Sequence, residues 1–417
     1  MPIGVQRKVL AWQRAALHYA RQRENIMKKL FTQVTGSVTA ARGFKAAGLA
    51  AGIKKSGKKD MALIVSDVPA TVASVFTRNQ VKAAPVKLDM LHVKSGKARA
   101  IVANSGNANA CTGKLGYVHA QAMSEAVARR IDAPTEQVLV CSTGRIGVNL
   151  PIVKIEAGIK KLLRQVSRTG ARDAALGIMT SDTFTKECAV KVGKFHVGGI
   201  AKGAGMIHPN MATMLGFITT DAAVPRAALQ RALRQAVNQS FNRISIDGDM
   251  STNDTVLCLA NGVAGKVSLP EFQAALNYVC LELAKMIVKD GEGVTKFVTV
   301  EVCGAKSDRD AEFAARAVSN SALVKTSWCG GDPNWGRLMD AIGYSRCKII
   351  EEKVDIAYDD VPAVKAGQPT RTPVAKLRKI VKSPTFTIRI NLNLGRGRCT
   401  MHTCDLTEDY VTFNKGE

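Results

Sequence analysis

The sequence predicts an α/β or mixed α+β protein. Short apolar, strand-like runs alternate with helix-period segments along most of the chain, and no repeat or low-complexity stretch interrupts them. Of the 417 residues, 46% are hydrophobic and mean hydropathy is near zero, enough for a sizeable core. That length suits two or three domains or one large α/β unit.

Residues 61–65 and 72–77 read as strands, and 98–103 as a third that runs into the polar loop 104–109. Residues 117–131 read as a helix, with Ala120, Met123, Ala126 and Val127 on one face. A short buried strand at 138–142 ends in Thr143-Gly144, and 151–166 and 172–179 look helical. Alternation at 187–200 predicts a hairpin, with Cys188, Val190 and Val192 set against Phe195 and Val197. A mostly apolar strand at 211–219 and a helix at 225–238 come next, then strands at 243–246 and 255–260 with a turn at Gly262. Ser268-Leu269-Pro270-Glu271 has the form of a capping box and opens a long amphipathic helix to about Lys289. A strand at 297–302, a helix at 308–317 and an alternating strand at 385–394 complete the pattern. The softest boundary lies around 287–295, so a smaller C-terminal domain is expected from about residue 290.

Charge is the unusual figure: 59 Lys+Arg against 34 Asp+Glu, a formal +25. This points to an anionic partner. Nucleic acid is disfavoured, because aromatics are only 5% and the basic patches at 54–59 and 396–398 contain none. No apolar run approaches the roughly 18–20 residues of a membrane span, so a soluble protein is expected. Ten cysteines without a C-x-x-C read as reduced thiols. Cys399, His402 and Cys404 have no second ligand pair, so no metal is expected. Residues 1–26 carry five basic groups and one acid. They read as a basic leader or as an extension upstream of a true start at Met27.

Several catalytic patterns are missing. There is no G-x-G-x-x-G after a strand, no P-loop and no G-x-S-x-G elbow. The run Asp247-Gly248-Asp249-Met250-Ser251-Thr252-Asn253-Asp254 lacks the glycine and terminal glutamate of an EF-hand. A turn held by Asx hydrogen bonds is the better reading.

One segment stands out: Lys202-Gly203-Ala204-Gly205-Met206-Ile207-His208-Pro209-Asn210-Met211-Ala212-Thr213-Met214-Leu215. A flexible, glycine-rich loop leads to a threonine at the mouth of an apolar strand. Taken alone, an ordinary loop and strand start is the more economical reading. The segment resembles the self-cleavage motif of the ornithine acetyltransferase family. Further stretches agree in order: 43–48, 107–113, 142–147, 247–254, 290–293, 332–337 and 404–406. The resemblance runs from about Val34 to the C-terminus.

The resemblance implies a layered sandwich of mixed sheets flanked by helices. It implies self-cleavage between Ala212 and Thr213, giving an α chain of 27–212 and a β chain of 213–417, assembled as two of each. The freed α-amine of Thr213, with a reference pKa of about 7.7–8, would act as base for its own hydroxyl. Thr143 and Gly144 match the family's oxyanion pair. Lys202 would neutralise a substrate carboxylate, Glu292 would pair with the ornithine ammonium, and Thr183, with Thr180 as fallback, matches a substrate-binding threonine. Asn414 fits a C-terminal contact whose second partner would fall at position 419, past Glu417. The implied reaction moves acetyl from N-acetylornithine to glutamate with no cofactor, and acetyl-CoA is a candidate second donor. The implied compartment is the cytoplasm, or the mitochondrial matrix or plastid if residues 1–26 are a transit peptide. Related self-cleaving aminopeptidases or amidases are the alternative within this kind of fold. A nucleic-acid-binding protein is the alternative outside it.

Overall fold

A computed structural model describes residues 30–207 and 214–415. Residues 1–26, Ala212 and Thr213 therefore lie outside the described residues. In chain order, the first half holds β1 (Thr32–Gln33), β2 (Phe44–Leu49), β3 (Met61–Phe76), α1 (Ala84–His92), β4 (Lys97–Asn107), α2 (Gly113–Ile131) and β5 (Val138–Arg145). Then come α3 (Ile152–Gln165), α4 (Ala171–Ile178), β6 (Lys186–Val192), β7 (Phe195–Lys202), β8 (Leu215–Ala223), α5 (Arg226–Gln239), β9 (Thr255–Lys266) and α6 (Leu269–Lys289). The last third contains β10 (Phe297–Ala305), α7 (Asp308–Asn320), α8 (Ala322–Cys329), α9 (Trp335–Gly343), β11 (Asp355–Tyr358), β12 (Val361–Lys365) and β13 (Gln368–Pro369). It closes with α10 (Val374–Val381), β14 (Thr385–Asn391), β15 (Gly397–Cys404) and α11 (Glu408–Asn414).

Among the described residues β1–β9 form one nine-stranded sheet, ordered β1-β6-β7-β8-β9-β3-β4-β5, with β2 also on β3. Two neighbouring pairs in it, β4–β5 and β8–β9, are parallel. The two runs expected at 61–65 and 72–77 are one strand. Its register shifts between Val65 and Ala70, where exposed Pro69 has no N–H to give the ladder. Before the shift β3 pairs with β2, and after it with β9.

Side-chain alternation along these strands separates three apolar layers. Leu63, Val102 and Val140 face α2 and α3. Ile64, Ile101 and Leu139 meet Phe217, Leu257 and Leu259 in a central layer. Val256, Cys258 and Ala260, the alternate residues of β9, pack under Leu233 of α5 and Leu276 and Leu283 of α6. Both faces of the strands are thus buried, and helices flank the stack on either side. This is the layered sandwich that the resemblance implied.

The second sheet lies wholly after residue 296, in the order β13-β12-β11-β14-β10-β15. Val298, Val300 and Val302 of β10, with Phe386, Ile388 and Ile390 of β14, pack against Ala311 and Ala315 of α7, Trp328 of α8 and Leu338 of α9.

Some expectations change. The strand expected at 243–246 is a 3₁₀ turn over Phe241–Arg243 and a single bridge from Ile244 to His402. Ile244 and Ile246 alternate because both are buried there, not because they join a ladder. Ser268 caps α6 by position, but its hydroxyl accepts no capping bond. Pro270 at the second helical position has no N–H to donate to it. The 385–394 strand stops at Asn391. In the basic patch at 54–59, Lys54 is turned inward and donates to the carbonyls of Lys59 and Met179, both at 2.7 Å. Burial pushes its pKa down to about 8 despite Asp60 and Asp182 nearby. No helix among the described residues is long and apolar enough to cross a membrane.

Candidate active site

Sheet register builds the site. Antiparallel β7 and β8 pair Lys202 with Leu215, so these two residues sit side by side at one edge of the sheet. Parallel β8 and β9 pair Leu215 with Thr255, which brings Asp254 to the same edge. The last residues of β5 come to this point as well, since Lys202 Nζ donates to Thr143 Oγ1 at 3.2 Å.

Lys202 and Thr143 are buried. Burial lowers the Lys202 pKa, with Lys186 adding to the effect, while Asp182, Asp254 and Glu292 oppose it. Because the Thr143 oxygen accepts from an ammonium, its own proton is left to be given elsewhere, and it is a stronger donor for that. Gly144 follows at φ +128. A Cβ there would sit 2.5 Å from the backbone nitrogen of Asn107 and closer still to the Gly106 carbonyl carbon. The turn therefore needs glycine for both conformation and space. Together a polarised hydroxyl and a backbone N–H at a strand end can serve as an oxyanion site.

The run 247–254 brackets the undescribed residues 208–213 on both sides. Asp247 accepts from Met206 N at 2.5 Å and Ile207 N at 2.8 Å. Asp254 Oδ1 accepts from Met214 N at 2.9 Å. Between them Asn253 Nδ2 donates to the carbonyls of Ala108, at 2.6 Å, and Ser142, at 2.8 Å, fixing the approach to Thr143. Internal turn bonds are present, an Asx-type one from Asp249 N to Asp247 Oδ1 at 3.1 Å and a serine-type one from Asn253 N to Ser251 Oγ at 3.1 Å. Burial raises the Asp247 carboxyl even though three N–H groups oppose it.

Beside Lys202 lies a second buried network. Lys186 Nζ sits 2.6 Å from Asp182 Oδ1 and 2.5 Å from Asp290 Oδ2, with its side chain wholly buried. Asp182 also accepts from Gly203 N at 2.7 Å and Thr180 N at 2.8 Å. Burial alone would raise the Asp182 carboxyl, yet Lys202, Lys186 and the Gly203 N–H hold it down at about 2. The exposed Thr183 gives both its N–H and its hydroxyl proton to Asp290. Asp290 thus orients Thr183, while Thr180 contributes its backbone to Asp182.

Glu292 is half-buried. Its N–H donates to the Ala204 carbonyl at 2.9 Å, and its carboxylate accepts from Asn414 Nδ2 at 3.1 Å. A Cβ on Gly205 would meet Glu292 Oε2 at 2.5 Å, so glycine there lets the carboxylate lie against the loop. Nearby, Thr407 Oγ1 donates to the Gly293 carbonyl at 2.7 Å, anchoring the start of α11.

Of the expected site residues, Lys202 and Thr143 meet directly, as do Glu292 and Asn414, and Thr183 joins through Asp290 and Lys186. The sequence reading missed Asp182, Lys186, Asp247, Asp254 and Asp290 as site residues. Asp247, Asp254 and Asp290 lay in the motifs quoted for the resemblance. Lys186 and Asp182 gave no local signal.

The chain is similar to known proteins over most of its length. The sequence model of the ArgJ family matches residues 45–416. The chain is 50% identical over 386 residues to the arginine biosynthesis bifunctional protein ArgJ of Geobacter sulfurreducens, covering 89% of this chain and 98% of that protein. It is 47% identical over 394 residues to the protein of the same name from Caldanaerobacter subterraneus subsp. tengcongensis, covering 91% and 98%. A crystal structure of ornithine acetyltransferase complexed with ornithine, from Mycobacterium tuberculosis, is 42% identical with a TM-score of 0.41, over 43% of this chain and 98% of that one. With the family pattern spanning the sandwich, the second sheet and every described site residue, the chain belongs to the ArgJ family.

Proposed function

We propose that this chain is a glutamate N-acetyltransferase of arginine biosynthesis, which moves acetyl from N-acetylornithine to glutamate through an ester on Thr213. It becomes active by cutting itself between Ala212 and Thr213. The observation that carries the reading is the convergence of Lys202, Thr143 and Asp254 on the two ends of the segment that holds Thr213.

In the cut, the Thr213 hydroxyl adds to the Ala212 carbonyl carbon, the peptide C–N bond breaks, and the hydroxyl proton ends on the freed nitrogen. Water then hydrolyses the ester. In turnover, the freed amine takes the hydroxyl proton as the oxygen bonds to the acetyl carbonyl. Thr143 and Gly144 donate to the developing oxyanion. The acetyl–nitrogen bond of N-acetylornithine breaks, and the ammonium returns its proton to the departing ornithine nitrogen. Glutamate reverses these steps on the acetyl-enzyme, so no cofactor is required. Lys202 is offered to a substrate carboxylate, Glu292 and Asn414 to the ornithine ammonium end, and Thr183, or Thr180, to substrate beside Asp290. The bifunctional name of the relatives supports acetyl-CoA as a second donor to glutamate. The mature enzyme is taken to be two 27–212 chains and two 213–417 chains in the cytoplasm, with a C-terminal domain from about 290.

Intact mass of purified protein tests the cut. Two fragments are expected, one starting at Thr213, and Thr213→Ala should stay as one chain. Acetyl transfer from N-acetylornithine to glutamate tests the reaction. An uncut wild-type chain after long incubation, or peptide hydrolysis without acetyl transfer, would sink this reading in favour of the aminopeptidase alternative.

A further inference from the structure

The basic run Lys54-Lys55-Ser56-Gly57-Lys58-Lys59 has no part in the mechanism above, yet its loop is firmly built. Asp60 is fully buried. Its carboxylate accepts from Ala51 N and Ile53 N, both at 2.6 Å, and from Lys54 N at 3.0 Å. The Lys54 ammonium closes the loop on itself at the Lys59 carbonyl and ties it to the Met179 carbonyl, both at 2.7 Å. Lys59 is paired with Asp173 at 2.5 Å. Lys55 and Lys58 are exposed, and neither forms an ion pair among the described residues. Holding these cations together in a fixed loop costs repulsion, which a bound anion would relieve.

This loop is stacked on the oxyanion turn. A Cβ on Gly106 would meet Lys54 Cγ at 3.1 Å, and a Cβ on Gly144 would run into the Gly106 carbonyl carbon. The chain at 54, 106 and 144 is therefore layered, and Asp182 and Lys202 both act on the Lys54 ammonium. Past Gly144 the segment 145–149 is exposed throughout. Arg145 forms no ion pair there among the described residues. Ile146 and Val148 are 43% and 46% exposed. Three unpaired cations and an uncharged, apolar strip thus lie just outside the turn that is offered to the reacting carbonyl.

That combination discriminates between donors. Cations repel the ammonium of an ornithine compound, and a glutamate carboxylate is already offered Lys202. A donor with acetyl at one end, a long uncharged arm in the middle and phosphates at the other end matches the surface in order. We propose that Lys55 and Lys58, with Arg145, form the phosphate subsite for a nucleotide thioester donor of the acetyl-CoA type, and that Ile146 and Val148 guide its arm toward Gly144. The proposal rests on the acetyltransferase reading above and gives its second donor a place. The subsite binds and orients; it makes and breaks no bond.

The test compares three acetyl donors to glutamate: acetyl-CoA, S-acetylpantetheine, which has the thioester and most of the arm but no phosphate, and N-acetylornithine. Wild type is set against the double variant Lys55→Glu/Lys58→Glu, whose exposed positions should leave folding intact. Lys376→Glu/Lys379→Glu, on exposed positions of α10, makes the same change of net charge elsewhere. In the loop variant the KM for acetyl-CoA should rise at least 10-fold with kcat within 2-fold, while KM for the other two donors stays within 2-fold. Added salt should weaken acetyl-CoA use in wild type more than in the loop variant. An unchanged KM for acetyl-CoA overturns the proposal, as does an equal rise in the α10 variant, which would make it an effect of net charge alone. An equal rise for all three donors, or a changed oligomeric mass, marks the loop as a chain interface and overturns it too. A wild type that transfers from N-acetylornithine but takes nothing from acetyl-CoA overturns the subsite and leaves the acetyltransferase reading standing. A wild type that uses no donor sinks that reading, and the subsite with it.

Discussion

Lys202 Nζ lies 3.2 Å from Thr143 Oγ1, joining the last residue of β7 to the end of β5. The contact places an ammonium behind an oxyanion donor rather than in open solvent. Lys202→Met keeps a similar volume but removes the cation beside Asp182, Asp254 and Glu292, so it should lower stability as well, read by denaturant unfolding. It should lower kcat for acetyl transfer about 100-fold, the loss expected when an oxyanion donor is weakened. Steady-state kinetics separates this from a purely substrate-binding lysine, for which KM would rise with kcat unchanged.

Gly144→Ala should be worse than its size suggests. At φ +128, an added methyl also runs into the Gly106–Asn107 backbone. Stability should fall by about 2 kcal/mol or more, and acetyl transfer by at least 100-fold. Denaturant unfolding and kcat on the folded fraction would show both. A fully active, stable variant would remove the oxyanion turn from the proposed mechanism.

Glu292 and Asn414 sit at the outer side of the site, 3.1 Å apart. Being half-exposed, Glu292→Gln should cost little stability. It should raise KM for N-acetylornithine about 10-fold, the effect of removing one charge-assisted contact, and leave kcat nearly unchanged. Asn414→Ala should follow in the same direction, but more weakly. An unchanged KM in both would place the ornithine end elsewhere.

His402 gives a pH signature of the second sheet. Burial, with Lys285 and Lys289 nearby, pushes its pKa down to about 3. Its ring stacks on Phe297 at 5.4 Å and its Nδ1 lies 3.2 Å from Thr299 Oγ1. The unfolded chain would protonate near 6.5 while the folded chain stays neutral, so folding stability falls as pH drops below 6.5. By pH 5 the loss from this group should be about 2 kcal/mol. His402→Gln should flatten that part of the stability–pH curve. Equal slopes in the two proteins would count against the buried neutral histidine.

Much of the chain was legible from sequence. The helix of 117–131, the 187–200 hairpin and the helix ending at Lys289 follow from hydrophobic period, and all three form. The strand at 243–246 did not. Alternation of Ile244 and Ile246 reports burial on one side, which a 3₁₀ turn satisfies as well as a ladder. The elements of 332–383 were not read at all. They are short, and β11 is held by pairing with β14, with β12 and β13 added outward from it, information absent from any local window.

The candidate site divides in the same way. Thr143, Gly144, Lys202, Glu292 and Asn414 were nameable from ordered motifs. Asp182 and Lys186 were not, and Asp290 lay in a quoted motif without its role being read, because a buried ion network is made by residues up to 104 apart in sequence, as for Lys186 and Asp290. The run 247–254 was visible as a turn held by Asx bonds, and one such bond, Asp249 N to Asp247 Oδ1, is present beside a serine-accepted one at Ser251. That the turn also grips residues 206, 207 and 214 required β9 to start beside β8.

By itself, then, the sequence determined the α/β class, the order of most elements and the residue types able to perform acyl transfer, because period and motif are local properties of the chain. The tertiary structure alone decided which of those residues meet. Lys202, Leu215 and Thr255 share one edge through strand register, and register is set by pairings between distant segments. Burial at that edge then fixes which carboxyls and ammonium groups must find one another.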